Sequence, residues 1–370
     1  MHPKLRMSQP TWLAEWPLFM GAISACLVLA HFDPAGPLWT GWLLFSIVAC
    51  AARAMAHADL LAEHFGEPAG TIILTVAAII IEVAAVCAIM LGSSGNPAVA
   101  RDSMFAVIML IMNGLVGGCM LIGTWRRSEV TFNADSALTY LPMLITLATI
   151  TLVLPRFTQS ATGGWMSNSM EVFVGGGSLV LYGSFLWLQS SRYRGYFAVG
   201  HPEAAVPAEH VGHISVPKAI TLLLVSLLIV VICAEGMAGR VGRLLNTLHL
   251  PAEFGGVFIA VMVLTPEGFA ALLASARGDM QRSINVLLGS AVATIGLTVP
   301  AVLTVRWITG VDPEFGLEAP YIVLLALTFM VSALNLMRGR VNAMQGLMHL
   351  LILFGWLATI LDESLTPELP

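Results

Sequence analysis

Long apolar runs, each broken by a short polar turn, fill the chain almost from end to end. A run of about 20 such residues is long enough to cross the hydrocarbon core of a bilayer as a helix. About eleven runs meet that description: Trp16–Phe32, Leu38–Ala58, Gly70–Leu91, Ser103–Trp125, Leu138–Leu154, Met170–Leu188, Pro217–Met237, Ala252–Ala276, Ile284–Arg306, Pro320–Met337 and Val341–Leu361. The second is the least regular, because Arg53, His57 and His64 make its end polar and give it the character of an interfacial helix. Backbone groups in lipid must be satisfied within the segment, so the pattern predicts an all-α, polytopic membrane protein.

An odd number of spans puts the two termini on opposite sides, and the basic residues choose which is which. With the N-terminus inside, the cytoplasmic side holds Lys4, Arg6, Arg126, Arg127, Arg192, Arg194, Lys218, Arg277, Arg282, Arg338 and Arg340. The other side holds Arg101, Arg156, Arg240, Arg243 and Arg306, and the tail LDESLTPELP has no basic residue. The longest polar stretch, Gln189–Val216, reads as a cytoplasmic linker. The organisation expected is an N-terminal segment with the first span (1–35), a first five-helix repeat (36–190), the linker (191–216) and a second five-helix repeat (217–370). Repeats of five helices must be inverted, a common plan among secondary transporters. Placing Asn113 on Thr294 without gaps brings Arg101 onto Arg282, and the turn GSSGNPA absorbs the extra residues that separate Glu82 from Asn113.

Composition agrees with this reading. Hydrophobic residues make up 57% of the chain and charged residues 11%, with a mean hydropathy of +0.85, far from the balance of a soluble domain. The net charge of −5 is spread over short loops without a basic stripe, which argues against nucleic acid as a partner. The five cysteines fall inside apolar runs and read as reduced packing residues. The polar start MHPKLRMSQPTW leads directly into a span without a cleavage site, so the first span is expected to stay.

Two carboxylates do not belong in such a pattern. Glu82 sits in GTIILTVAAIIIEVAAVCAIML and Glu267 in EFGGVFIAVMVLTPEGFAALLAS. A charged carboxylate at mid-membrane costs a few kcal/mol on insertion scales and marks function by default. Beside Glu267, Pro266 removes a backbone hydrogen bond and Gly268 follows, so freed carbonyls there could ligate a cation. The Glu82 run lacks such flanking residues, which makes Glu82 the member of the pair expected to be more dispensable. The next span carries GSAVATIGLTVP, in which Ser290 and Thr294 are four residues apart and share a helix face. Packing of small residues explains Gly289 and Gly296 but not a glutamate beside a proline. Carboxylate, hydroxyl, amide and carbonyl oxygens suit calcium, or sodium by extension, and not zinc or copper.

The stretch LTPEGFAALLASARGDMQRSINVLLGSAVATIGLTVPAVL resembles the second α-repeat of the calcium/cation antiporter superfamily. HFGEPAGTIILTVAAIIIEVAAV and GNPAVARDSMFAVIMLIMNG resemble the first α-repeat of its ChaA-type bacterial calcium/proton antiporters. The resemblance covers most of the chain. It implies a multi-pass protein of the bacterial inner (plasma) membrane in which Glu82 and Glu267 bind the cation in alternation with protons, and Asn113, Ser290 and Thr294 are the polar partners. It departs from the plant and fungal pattern Gly-Asn-Ala-Xaa-Glu, since AIII and VLTP precede the glutamates here.

Glu63, His64 and Glu67 stand at the cytoplasmic start of the Glu82 run, either capping it or relaying ions and protons toward it. Arg101 and Asp102 read as an interfacial pair, and His349 as a hydrogen-bonded residue outside the site. Charge balance then sets the expected cycle. Desolvation and mutual repulsion oppose an empty, doubly charged pair, whereas one calcium or two protons neutralises it, and so does one sodium with one proton. The partners implied are calcium, sodium or potassium ions, protons and the lipid bilayer, with no cofactor. A proton-conducting subunit of a redox complex is the alternative, but membrane lysines on a relay would be expected there and both lysines here are terminal or in a loop. A cation channel would differ by lacking proton coupling. No HExxH or GxSxG motif suggests an enzyme.

Overall fold

The computed structural model describes residues 15–32, 37–65, 77, 79–84, 86, 90, 97–125, 127–161, 163–191, 215–248, 250–251 and 253–365. The helices among them are α1 (Trp16–Leu29), α2 (Pro37–Phe65), α3 (Val99–Thr124), α4 (Ala134–Phe157), α5 (Asn168–Ser191), α6 (Val216–Leu248), α7 (Phe254–Ala276), α8 (Met280–Thr309), α9 (Ala319–Leu336) and α10 (Ala343–Leu365). Eight helices among the described residues are long and apolar enough to cross a membrane, or nine with the bent α7 counted as one span. This confirms an all-α, multi-spanning protein. The described spans number fewer than the sequence suggests for two reasons. The run Gly70–Leu91 lies largely outside the described residues, although 79–84 are helical, and α1 is a shorter apolar helix.

The chain forms two compact units, Met1–Ala77 with His201–Met237, and Ala78–Gly200 with Ala238–Pro370. In the first, α1 and α2 are joined by buried hydroxyls: Ser24 Oγ lies 2.9 Å from Ser46 Oγ and accepts from Trp42 Nε1 at 2.8 Å. The absence of a side chain at Gly21 lets Cys50 and Ile229 pack against its backbone. Glu15 binds Arg53 at 2.5 Å and His57 at 3.3 Å.

In the second unit α3 and α7 run side by side in the same direction. Glycines permit the approach along its whole length: Gly256 meets Asp102 and Ser103, Gly268 meets Leu115, and Leu272 meets Gly118. Ser275 Oγ closes the far end by donating to the Cys119 carbonyl at 2.6 Å. α8 returns antiparallel to α7, with Ser283 Oγ donating to the Ala271 carbonyl at 2.7 Å. It starts on an Asp279 cap and stops at Gly310, whose φ of 74° few other residues tolerate.

Two helices carry π-helical turns, a geometry often found at functional positions. In α3 the turn spans Leu110–Leu115 and contains Asn113. In α4 it spans Thr149–Val153, just before Pro155, which can neither donate a backbone hydrogen bond nor keep α-helical spacing to the preceding turn. A two-residue antiparallel pair, Val130–Thr131 with Arg340–Val341, ties the turn after α3 to the turn before α10. Large apolar side chains such as Phe45, Val180, Phe269, Ile308 and Leu351 face outward, as helices bathed in lipid require.

α3 and α10 cross at two glycines. A β-carbon at Gly346 would stand 2.8 Å from the Gly117 carbonyl oxygen and 3.1 Å from the Leu121 nitrogen, both backbone atoms of a packed helix. Gly346→Ala is therefore expected to destabilise the protein by about 1–3 kcal/mol through overpacking. Thermal unfolding of the detergent-purified chain would show this as a lowered midpoint.

Candidate functional site: two carboxylates held by one helix

Both glutamates of the sequence pattern are held by α8. Thr294 Oγ1 donates to Glu82 Oε2 at 2.9 Å, and Ser290 Oγ donates to Glu267 Oε2. Ser290 and Thr294 are one turn apart, about 6 Å along the helix axis, so α8 presents the carboxylates as successive rungs. Glu82 is buried, 2% exposed, whereas Glu267 is half-buried.

The position of Glu267 follows from its helix. The halves Phe254–Thr265 and Glu267–Ala276 of α7 meet at 57°, and the bend falls at Pro266, which lacks the N–H that would bond the carbonyl one turn back. The sequence reading anticipates this break. Behind its hydroxyl-bearing residues α8 packs closely at Gly296, where a β-carbon would stand 3.0 Å from Tyr182.

Asn113 lies in a second polar group. Its Nδ2 donates to Thr328 Oγ1 at 2.9 Å, and His349 Nδ1 lies 3.2 Å from its Oδ1. On the other side of the ring, Asn335 Nδ2 lies 3.2 Å from His349 Nε2. An amide nitrogen can only donate, so Nε2 accepts and the ring proton sits on Nδ1, from where it is given to Asn113. Thr328 Oγ1 passes its own proton toward Met109 Sδ at 3.5 Å. The chain of bonds has one direction and fixes the π-helical turn of α3 against α9 and α10. His349 is fully buried within it. Sequence reasoning identified Asn113 but not Thr328 or Asn335; the available signal was their placement as polar residues in the otherwise apolar run of α9.

The remaining expected residues fall elsewhere. His64 is exposed at the end of α2, its ring against Phe65, while the side chain of Glu63 and all of Glu67 lie outside the described residues. Arg101 is buried and bonds Asp102 at 2.8 Å and Glu314 at 2.7 Å. Arg306 similarly joins Glu171 and Asp312, each at 2.6 Å. Among the described residues no group of three or more His, Cys, Asp or Glu side chains could hold a metal ion. The donor set at the carboxylates is oxygen from acids and alcohols.

Over residues 35–191 and 218–361 the sequence matches the family described as "Sodium/calcium exchanger protein". The y4hA protein of Sinorhizobium fredii is 37% identical over 348 residues, spanning 93% of this chain and 94% of that protein. The sodium-potassium/proton antiporter ChaA of Escherichia coli is 32% identical over 322 residues, spanning 86% of this chain and 87% of its own. Among solved structures, the Ca2+/H+ antiporter protein YfkE superposes with a TM-score of 0.69 at 13% identity, covering 94% of this chain and 97% of that one. That likeness is one of fold.

The His349 group makes its own prediction. His349→Leu removes the acceptor for Asn335 and the donor for Asn113, and each buried polar group left unpaired costs about 1–3 kcal/mol. A lowered unfolding midpoint in detergent is expected, with His349→Gln less affected because an amide keeps one donor and one acceptor.

Proposed function

The chain belongs to the sodium/calcium exchanger protein family, and from that premise we propose which ion it moves, where it binds and how the molecule faces the membrane. The protein is a secondary active cation/proton antiporter that works by alternating access. Its proposed physiological task is ChaA-type: calcium leaves the cell as protons return down their gradient, and sodium or potassium can use the same site. The carrying observation is that Glu82 and Glu267 are bonded to hydroxyls one turn apart on α8.

In this reading the two carboxylates carry cation and protons alternately. Ser290 and Thr294 hold them in place. Asn113 completes the donor set, since its carbonyl oxygen keeps a second lone pair beyond the bond from His349. A calcium ion balances both carboxylates, and two protons do the same, so exchange requires at least two protons per calcium. One sodium with one proton is equally neutral, and the name of the Escherichia coli relative supports that second cargo.

The proposed plan is eleven spans, one leading helix plus two inverted five-helix repeats, with the N-terminus cytoplasmic and the C-terminus outside, in a bacterial inner membrane. It is supported by the clustering of basic residues at one end of the second unit. There Arg127 packs against Gly278, Gln281 accepts from the Asn133 backbone, and Arg340 pairs with Glu129. In this orientation the proposed relay of Glu63, His64 and Glu67 stands, by sequence order, at the cytoplasmic start of the Glu82 run.

Proteoliposomes holding a pH-sensitive dye provide the test. Calcium added to wild type is expected to drive proton movement, and Glu82→Gln and Glu267→Gln are each expected to reduce it to the level of protein-free vesicles while remaining folded and inserted. Full exchange in either variant would overturn the paired-carboxylate site. Cation flux without proton coupling would instead make the protein a channel.

A further inference from the structure

The seam between α3 and α7 opens into two clefts. One, of about 350 Å³, stands where both helices end and is lined by Ile122, Gly123, Trp125, Arg127, Ala276 and Gly278. The other, of about 250 Å³, lies deeper, between Leu110 and Leu115 of α3 and Val261, Thr265 and Phe269 of α7. It adjoins the bend of α7 at Pro266. Along the seam the large apolar side chains of Ile122, Phe269 and Leu273 are exposed.

The two clefts differ in chemistry. The deep one is lined almost wholly by apolar side chains, whereas the end cleft carries a cation. The Arg127 guanidinium lies so close over Gly278 that a β-carbon there would stand 2.8 Å from Nη1. Arg277 is exposed between the lining residues Ala276 and Gly278. Among the described residues neither arginine forms an ion pair, whereas Arg53, Arg101, Arg306 and Arg340 are each joined to a carboxylate. The acids nearest in sequence are already engaged: Glu129 pairs with Arg340, and Asp279 accepts from the Arg282 backbone N–H at the start of α8. Trp125 is 85% exposed in the same cleft, and such an amphipathic ring favours the level of the lipid headgroups.

Length joins the two clefts. Leu115 and Trp125 are ten residues apart, about 15 Å of helix, which is half of a hydrocarbon core of ~30 Å and so the depth of one leaflet. A phospholipid has the same order of parts, with a charged phosphate at the interface and acyl chains that reach the midplane. We propose that this seam binds one anionic phospholipid, its phosphate on Arg127 and Arg277 and one acyl chain running past Ile122 into the cleft at Leu115, Val261 and Phe269. Basic pockets between membrane helices hold headgroups of this kind, and a guanidinium matches two phosphate oxygens at once. In the proposed orientation the lipid belongs to the cytoplasmic leaflet, and its chain ends beside the Pro266 bend. Binding depends on the membrane fold and not on antiport.

The test titrates the full chain in detergent with dioleoylphosphatidylglycerol, and separately with dioleoylphosphatidylcholine, whose headgroup has no net charge. A lipid that binds only the folded state raises the thermal unfolding midpoint, and native mass spectrometry counts the molecules retained. Wild type is expected to respond more to phosphatidylglycerol and to retain one molecule of it. Arg127→Gln is expected to need about fivefold more of that lipid for the same rise, the loss that one basic contact to an anionic headgroup implies. Val261→Trp, which fills the deep cleft, is expected to weaken binding with both arginines intact. Arg340→Gln removes a cation already paired with Glu129 and is expected to titrate like wild type. Equal responses of wild type to the two lipids would overturn the site, and so would an equal loss in Arg340→Gln and Arg127→Gln, which would mean a general attraction of charge. Inorganic phosphate that reproduced the rise at matched ionic strength would put a free anion in place of the lipid and overturn it too. A protein that binds the lipid as expected but exchanges no protons would support the site and overturn antiport alone.

Discussion

A carboxylate taken out of water must be met by a donor, a proton or a cation, and at the centre of this protein one helix supplies the donors for two of them. The bonds from Thr294 to Glu82 and from Ser290 to Glu267 are the constraint on which the surrounding packing depends. α8 is placed against both acids with Gly296 letting Tyr182 close against it and Ser283 fixing its register on α7. α7 in turn brings Glu267 to that face by bending at Pro266. Shifting α8 by one residue would rotate its hydroxyls by about 100° away from the acids. The small residues along these helices therefore serve the site as well as the packing.

The molecule contains two kinds of buried or half-buried acid, and the difference between them is chemical. Asp102 and Glu314 are bound to Arg101, and Glu171 to Arg306. Such pairs carry their own counter-charge and remain matched without any ion. They are linked by the turn after α8, where Glu314 and Asp312 reach to opposite partners and Gly316 packs against Gly164. Glu82, by contrast, is bonded to a neutral hydroxyl, and a neutral donor lowers the cost of a buried charge without cancelling it. A carboxylate held in this way changes its occupant with its surroundings. One class of acid fastens an end of the bundle; the other carries no counter-charge from an arginine, which is why the proposed site uses it.

Much of the architecture was legible because lipid imposes a simple grammar. Apolar runs announce helices, and the misplaced charges of Glu82 and Glu267 mark the candidate site. The Pro266 bend and the shared face of Ser290 and Thr294 followed from local chemistry, which sequence carries directly. What escaped was long-range pairing. Asn113 looked like a free amide for a cation, yet its partners Thr328 and His349 lie 215 and 236 residues away, and no periodicity in α3 points to them. His349 was read as hydrogen-bonded, which it is, but its bond to Asn113 needs the crossing of α3 and α10 at Gly117 and Gly346. A glycine in an apolar helix signals close approach without naming the neighbour.

The relative weight of the two glutamates shows the same limit. The residues flanking Glu267 make it the more conspicuous acid, and by that standard Glu82 is the more dispensable of the two. Burial argues for the opposite weighting. Glu267 is half-buried, whereas Glu82 is 2% exposed and keeps one oxygen without a hydrogen bond. The less solvated acid depends more on what occupies it, and the energetic difference between its filled and empty states is larger. An exchanger works through such differences, because each ligand can shift the balance between access states only by as much as it binds one better than the other.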